Sequence, residues 1–356
     1  MAGSLVSLTI LTIFCVSAAG NRTQLLSGKG IDGLSALLLP DSDGVCSSMI
    51  KNHGYSCQEH NVTTKDGYIL SLQRIPAGRS GGTTGTRPPV LVVHGVFMAY
   101  WDWSLDELVA YDLPETVDYI HNLTGQKLHY IGQSLGTMTA FAAFSRNLLI
   151  DKLRSAVLLC PVAYLGQVNS PLARAAAETF VAEVNTSSCQ QSLSRGAYDQ
   201  NQIWRIHLLE NMLLLLIGKN CCLDPSISSI LLEHEPQSTA TKNMIHLAQM
   251  IREGTFTMYD YKDAKENVKH YKKATPEPYN LSCIPSDIPL YLSYGGADAL
   301  TDEKDIELLL NSLQGHDKDK LVVQRIEKYA HGDYVMGDNA WHVVYDPLIA
   351  FLKLHQ

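Results

Sequence analysis

Residues 127–148 read KLHYIGQSLGTMTAFAAFSRNL, and this stretch decides the fold. Lys127 to Ile131 are typical of a short buried strand, and Thr137 to Leu148 are typical of a helix. Between them, Gly132 to Gly136 match the pattern G-x-S-x-G, which alone is weak evidence. The glycines leave room for a sharp strand-to-helix turn that presents the hydroxyl of Ser134 above the edge of a sheet. The stretch therefore predicts a nucleophilic serine at a strand end.

Apolar runs of strand length alternate with amphipathic helical patterns along most of the chain. Such alternation predicts a mostly parallel sheet that is covered by helices on both faces. The strands of this sheet are predicted at residues 90–94, 127–131, 155–160, 288–294 and 321–326, and its helices at 105–122, 137–148, 302–313 and 345–354. Before them, residues 57–63 and 68–75 are predicted to form a hairpin, because Asp66-Gly67 between them is a strong turn signal.

The pattern changes between residues 161 and 287, where helical periodicity dominates. Helices are predicted at 203–217 and 241–252, and the whole region is interpreted as a helical insertion. The run of apolar residues at 212–217 is too short to span a membrane, so we interpret it as the core of that insertion. The predicted α/β core is therefore in two parts, residues 21–160 and 288–356, with the insertion between them.

The first twenty residues, MAGSLVSLTILTIFCVSAAG, contain a short apolar stretch followed by small residues, which is typical of a cleaved signal peptide. We expect no stable transmembrane segment after its removal. The chain has 356 residues and a net charge of −8, with no run rich in Lys or Arg. This balance argues against nucleic acid as a partner but is compatible with a neutral lipid substrate.

Sequons and cysteines agree with a secretory route. The sequons considered as glycosylation sites are Asn61, Asn122, Asn185 and Asn280; that at Asn21 lies close to the cleavage site. Seven cysteines follow the signal peptide, so at least one thiol is unpaired. Plausible bridges are Cys46 with Cys57, and Cys189 with Cys221 or Cys222, whereas Cys160 is interpreted as a core residue. No cluster has zinc spacing, and neither a metal nor a cofactor is expected.

Two further residues complete a candidate catalytic set. Asp298 follows the strand at 288–294, and His331 follows the strand at 321–326. The carboxyl ends of parallel strands meet at one edge of the sheet, so both residues should lie near Ser134. A serine hydroxyl needs a base oriented by a third group. The chain order Ser134, Asp298, His331 is that expected of an α/β-hydrolase.

An acyl-transfer site also needs two N–H donors for the oxyanion. The backbone N–H of Leu135, directly after the candidate nucleophile, is predicted to be one of them. The other should come from the turn after the first sheet strand, where Val96 is the candidate. His94, in the same turn, is interpreted as a brace rather than as a catalytic group.

The chain resembles the acid lipase family of α/β-hydrolases, in particular its plant branch. The matching stretches are Cys57–Pro76, Val92–Gly95, Trp101–Gly136, Glu235–Gln249, Leu290–Leu300 and Tyr329–Met336. The resemblance implies a Ser134, Asp298, His331 triad, a cap and lid at residues 161–287, and neutral lipid esters as substrates. It also implies a secreted or vacuolar/lysosomal lipase that works at a lipid–water interface, on triacylglycerols or steryl esters.

The chain departs from this family after Met98. A helix and a strand that the family places between the His-Gly turn and the Trp-Asp-Trp segment are missing, and Val96 to Tyr100 joins the two directly. Either the hairpin at 57–75 pairs with strand 90–94, or that strand is an unpaired edge. The alternative function is therefore a catalytically impaired splice or gene-model variant that retains at most lipid binding. Acyl transfer and peptide hydrolysis are more distant alternatives.

Overall fold

The computed structural model describes residues 46, 50–79, 87–96, 103–180, 182–183, 214–223 and 239–356. The chain divides into two compact units at Pro88 and Pro89. The predicted signal peptide at residues 1–20 and most of the predicted helix at 203–217 lie outside the described residues. No helix within the described ranges combines the length and the apolar character that a membrane crossing requires.

The smaller unit contains the predicted hairpin. Strands β1 (Gln58–Thr63) and β2 (Ile69–Arg74) pair antiparallel and form a two-stranded sheet of their own. The turn is closed by Thr64, whose Oγ1 accepts the Tyr68 N–H at 2.9 Å, and by Gly67 at φ +94°. The predicted Cys46–Cys57 disulfide is present. Hairpin and first disulfide are thus confirmed.

The larger unit contains a five-stranded sheet in which every neighbouring pair is parallel, in the order β3-β4-β5-β6-β7. Its strands are β3 Val90–Val93, β4 Leu128–Gln133, β5 Leu153–Leu159, β6 Leu290–Gly295 and β7 Leu321–Ile326. The three central strands are buried along almost their whole length. That burial explains their continuous apolar runs, because helices cover both faces of a parallel sheet. The predicted fold class is confirmed.

Helices connect the strands and build the region between β5 and β6. In the described ranges they are α1 Leu105–Glu107, α2 Leu113–Thr124, α3 Leu135–Ser145, α4 Pro171–Glu178, α5 Thr241–Glu253, α6 Ala264–Tyr271, α7 Glu303–Ser312, α8 Asp333–Met336 and α9 Asp346–Leu354. A π-helical turn joins α1 to α2, so the chain is continuously helical through the predicted helix at 105–122. The described part of 161–287 contains α4, α5 and α6.

Helix α3 follows the candidate nucleophile and is buried on every side. All residues from 135 to 144 are buried, including Phe141 and Phe144, which have no exposed surface. The sequence LGTMTAFAAF suits this position because its small side chains let the helix pack closely against the sheet. The first turn of this helix, and hence the serine before it, is held by the core.

Strand β3 is an edge of the five-stranded sheet. Among the described residues its hydrogen-bonded neighbour is β4, and the hairpin is not part of this sheet. The side chains of Val90 and Val92 are 46% and 68% exposed, which is unusual for a parallel strand. In the described part of the chain, β3 is therefore paired on one side only.

The predicted disulfide between Cys189 and either Cys221 or Cys222 is wrong. Cys221 and Cys222 are bonded to each other, with 3.7 Å between their Cα atoms, and Cys189 lies outside the described residues. Cys160, which is buried, and Cys283, which is exposed, are free thiols.

Candidate active site

Ser134 lies at a strained turn between β4 and α3. Its φ of 54° and ψ of −114° are unfavourable for a residue that has a side chain. The flanking glycines explain how the turn is tolerated. A Cβ on Gly132 would lie 2.7 Å from the Gly136 carbonyl, and a Cβ on Gly136 would lie 2.6 Å from the Val93 oxygen. Both distances are shorter than van der Waals contact, so the turn requires both glycines.

The structure brings the three predicted triad residues together. Ser134 Oγ lies 2.8 Å from His331 Nε2, and His331 Nδ1 lies 2.8 Å from Asp298 Oδ2. The Asp298 side chain is fully buried, and that of His331 is 7% exposed. A carboxylate can only accept hydrogen bonds, so Nδ1 carries the proton and the lone pair of Nε2 faces the serine hydroxyl. The arrangement can draw a proton from Ser134.

The Asp298 carboxylate is oriented by the residues that follow it. Oδ1 accepts the N–H groups of Leu300 at 2.8 Å and of Thr301 at 2.9 Å. Oδ2 accepts the Thr301 hydroxyl at 2.9 Å in addition to the His331 ring. Hydrogen bonds from N–H groups stabilise a buried charge that would otherwise be costly. Sequence reasoning missed Thr301, although it lies three residues after Asp298 in the same loop.

Backbone hydrogen bonds join the loops that follow β6 and β7. The Gly296 N–H donates to the Ile326 oxygen at 3.0 Å, and the Ala297 N–H donates to the Tyr329 oxygen at 3.0 Å. These bonds link the strand ends that carry Asp298 and His331. The ordering of neighbouring strands β6 and β7 therefore accounts for the closeness of the two side chains.

The two predicted oxyanion donors belong to segments that adjoin the nucleophile. Leu135 is the first residue of α3, and the N–H groups of a first helical turn have no partner within the helix. A Cβ on Gly95 would lie 3.4 Å from Ser134 Cβ, so the chain entering Val96 passes close to the serine. The Nδ1–H of His94 donates to the Gly95 oxygen at 2.7 Å, in keeping with a bracing role. Phe97 to Asp102 lie outside the described residues.

Cys160 lies beneath this site and is not exposed. Its Sγ lies 3.5 Å from the His331 oxygen, and its backbone has a φ of 48° at the end of β5. Burial, with the nearby Asp298 and Asp333 carboxylates, raises the pKa of the Cys160 thiol well above its usual value. A protonated, enclosed thiol is a poor nucleophile and a poor metal ligand.

Two groups of side chains in the described residues have ligand atoms close enough to share a metal ion. They are Cys160, Asp298 and His331, and Cys221, Cys222 and Asp333. In the first group the carboxylate and the ring bind each other, and the thiol is protonated. In the second the two sulfurs are joined as a disulfide. Neither group therefore offers a full set of free, deprotonated ligand atoms to a transition metal.

The predicted glycosylation sites differ in their local structure. Asn61 lies in β1 and Asn122 in α2, and both are exposed. Asn280 is also exposed, and its Oδ1 caps a short turn by accepting the Ser282 N–H at 3.2 Å. Asn185 lies outside the described residues. Exposure is necessary for an acceptor, so the first three stay candidates.

Comparison with known proteins identifies the family. A model described as the partial alpha/beta-hydrolase lipase region matches residues 46–107. Triacylglycerol lipase 2 of Arabidopsis thaliana is 38% identical over 98% of this chain and 96% of its own length. Gastric triacylglycerol lipase of Rattus norvegicus is 29% identical over 88% of this chain and 92% of its own. The structure of a thermophilic esterase from Thermogutta terrifontis covers 84% of this chain and 100% of that protein, with 14% identity and a TM-score of 0.49.

The alignment with the plant lipase also measures the shortening of this chain. It runs over 406 positions, whereas 98% of 356 residues is about 349, so about 57 positions have no residue here. In total, that number of positions is enough for a helix and a strand with their loops. The alignment covers nearly the whole of both chains. The chain belongs to the acid lipase family of α/β-hydrolases, a family of carboxylic ester hydrolases.

Proposed function

We propose that the chain is a serine lipase that hydrolyses carboxylic esters of neutral lipids through an acyl-enzyme intermediate. The observation that carries the proposal is the unbroken chain of hydrogen bonds from Ser134 through His331 to Asp298. The strained turn, the buried carboxylate and the family membership support it independently.

In the proposed mechanism His331 acts as base and then as acid. Its Nε2 takes the proton of Ser134 as Oγ attacks the ester carbonyl, and Asp298 stabilises the imidazolium that forms. The imidazolium gives that proton to the leaving alcohol, and the acyl group stays on Ser134. Water then attacks the acyl-enzyme with His331 again as base, which releases the carboxylic acid and restores the serine.

The oxyanion of each tetrahedral intermediate needs donors on the side of Ser134 away from His331. We assign this role to the N–H groups of Leu135 and Val96. Losing one such donor typically lowers kcat by about 10² to 10³. The activity of this chain therefore depends on the path that the shortened join takes after Val96.

The class of substrate and the compartment follow from the relatives' names and from the cysteines. The relatives are triacylglycerol lipases, including a gastric one, which supports neutral lipid esters and a secreted or vacuolar/lysosomal location. The Cys46–Cys57 disulfide is of the kind that persists in oxidising compartments. We assign the insertion at 161–287 the role of cap and lid over the acyl group.

One set of assays tests the proposal. The purified mature chain is given p-nitrophenyl butyrate, a triacylglycerol emulsion and a steryl ester, beside Ser134→Ala and the control Ser145→Ala. The control removes the hydroxyl of Ser145, the last residue of α3, which donates to the Ala142 oxygen of the same helix. We expect Ser134→Ala to lower kcat by up to about 10⁶ and Ser145→Ala to leave it unchanged. Equal activity of all three proteins would refute the proposal.

A specific observation favours the impaired variant as the second candidate. Among the described residues β3 is paired on one side only, and its Val90 and Val92 are exposed; an open edge of this kind promotes association of chains. If chains associate through this edge, the wild-type protein should elute as large aggregates and hydrolyse none of the esters. A soluble monomer with ester turnover that depends on Ser134 would exclude it.

A further inference from the structure

A short segment of the insertion contacts both loops of the triad. We call residues Ile217–Cys222 the strap. The Ile217 oxygen accepts the N–H of His331 at 3.3 Å and the N–H of Ala299, the neighbour of Asp298, at 3.4 Å. One carbonyl group thereby bridges the loop of the catalytic histidine and the loop of its carboxylate. The insertion is therefore bonded to the triad loops as well as placed between β5 and β6.

The next residues of the strap follow the same loops closely. Gly218 has a φ of +95°, and a Cβ there would lie 2.5 Å from the Ala297 oxygen. Asn220 Oδ1 accepts the N–H of Gly332, the residue after the histidine, at 3.1 Å. A side chain at 218 would displace the strap, so glycine is required for this approach.

The strap ends on a buried carboxylate two residues after His331. Asp333 has no exposed surface. Its Oδ2 accepts the N–H of Ala330 at 2.7 Å and that of Cys221 at 3.1 Å, and its Oδ1 accepts the N–H of Cys222 at 3.1 Å. A buried charge is tolerated only where hydrogen bonds replace its water shell. These three N–H groups do so, and two of them belong to the strap.

The disulfide between Cys221 and Cys222 determines how these two N–H groups are presented. It closes a small ring around one peptide bond, which restricts the dihedral angles of both residues. Consecutive N–H groups in an extended chain point in opposite directions, whereas here both reach one carboxylate. The Asp338 N–H also donates to the Cys222 oxygen at 2.8 Å. The ring is therefore hydrogen-bonded to two residues that follow His331, Asp333 and Asp338.

We propose that the Cys221–Cys222 disulfide and Asp333 together form a positioning element for His331. The inference rests on the proposed function, because it concerns the base of the same triad. With the disulfide closed, Asp333 ties Ala330 on one side of His331 to the strap, while Ile217 holds the N–H of His331 itself. With the disulfide open, Cys221 and Cys222 are free to rotate, and their two N–H groups no longer point together at the Asp333 carboxylate.

Opening the ring needs a dithiol reductant. In thiol–disulfide exchange a thiolate of the reductant attacks one sulfur, and the second thiol of the reductant completes its own disulfide. The Cys221–Cys222 S–S bond breaks, two S–H groups form on the cysteines, and the reductant loses two electrons and two protons. Cys221 is exposed, so the reaction has access to the bond.

The expected effect is on the rate of the chemical step. Displacing a catalytic group by about 1 Å costs about 10²-fold in rate. We therefore expect opening of the ring to lower kcat for p-nitrophenyl butyrate by about tenfold to 10²-fold, with KM unchanged. The same factor should appear in the maximal rate of fluorophosphonate labelling, which needs the base but no lipid surface.

The test compares wild type, Cys221→Ser/Cys222→Ser and Cys46→Ser/Cys57→Ser before and after dithiothreitol treatment. Dithiothreitol should lower kcat of the wild type and of Cys46→Ser/Cys57→Ser, and reoxidation should restore it. The Cys221→Ser/Cys222→Ser protein should start at the low value and not respond. A trivalent arsenical, which binds adjacent dithiols, should be retained by the wild type and by Cys46→Ser/Cys57→Ser only after reduction.

Asp333→Asn provides the second test, with the exposed Asp319→Asn as the control for charge. Asparagine offers one acceptor oxygen in place of two, so we expect a lower kcat at constant KM and a normal value for Asp319→Asn. If Asp333→Asn unfolds, the response of wild-type kcat to dithiothreitol still tests the positioning role. Wild-type kcat that is unchanged while the arsenical binds, or a Cys221→Ser/Cys222→Ser protein that responds equally, would overturn the positioning role. An oxidised wild type that no fluorophosphonate labels would instead refute the proposed function.

Discussion

Replacing Asp298 by asparagine should reverse the direction of the hydrogen bond to His331. Oδ1 already accepts the N–H groups of Leu300 and Thr301, at 2.8 and 2.9 Å. Asparagine has one oxygen, and these two donors require it at the Oδ1 position, so the amide NH₂ faces His331. The ring must then accept at Nδ1 and carry its proton on Nε2. In that tautomer it cannot draw the proton from Ser134.

The loss should be large because the base itself is disabled. A wrong tautomer of this kind lowers kcat by about 10⁴, which corresponds to about 5.4 kcal/mol of activation free energy. Thr301→Val is the matched control, since it removes only the hydroxyl that donates to Oδ2 at 2.9 Å. A hydrogen bond to a charged group contributes about 1.5–3 kcal/mol, so the control should lose about tenfold to 10²-fold, well short of 10⁴.

Initial rates with p-nitrophenyl butyrate measure both variants, and kcat/KM is converted to activation free energy. Thermal unfolding of each protein checks that the fold is kept. A folded Asp298→Asn protein with kcat within tenfold of wild type would refute the role assigned to the carboxylate.

Three further predictions concern stability. His129 is 2% exposed, and burial, reinforced by Arg154 and His355, lowers its pKa to about 4. The ring is thus neutral in the folded chain and protonated in the unfolded chain below pH 6.5, so stability is lost as the pH falls from 6.5 to 4. His129→Gln should reduce the slope of unfolding free energy against pH in that window by up to about 1.4 kcal/mol per unit, measured by urea denaturation; an unchanged slope would contradict this. Gly136→Ala should destabilise by about 1–3 kcal/mol or more through contact with the Val93 oxygen, whereas Gly315→Ala, with open space around it, should be neutral in the same assay. Ser134→Gly should unfold at higher urea than Ser134→Ala, because glycine relieves the strain at φ 54°; the reverse order would show that the turn is unstrained.

The central sheet could be predicted from the sequence because β4, β5 and β6 are buried on both faces. Their apolar runs are nearly continuous, and among the described strands β1, β2, β3 and β7 lack that burial pattern. Element ends were less accurate. Helix α3 begins at Leu135 rather than Thr137, because Gly136 was interpreted as part of the turn. The π-helical turn at 108–112 has no sequence signal.

The positions of Ser134, Asp298 and His331 could be predicted because each follows a strand of the same parallel sheet. The contacts that hold them could not. Asp333 acts on residues 111 and 112 positions earlier in the chain, and no local pattern links them. The pairing of Cys221 with Cys222 was missed for a related reason, since spacing leaves several disulfide connectivities open.

The nucleophilicity of Ser134 is the central claim, and covalent labelling measures it most directly. The folded, oxidised chain is treated with a fluorophosphonate, digested, and analysed by mass spectrometry of its peptides. We predict one adduct, on the peptide that contains Ser134, which is absent from Ser134→Ala and from heat-denatured protein. A soluble, cooperatively folded chain that carries no adduct, or carries it on another residue, would contradict the account.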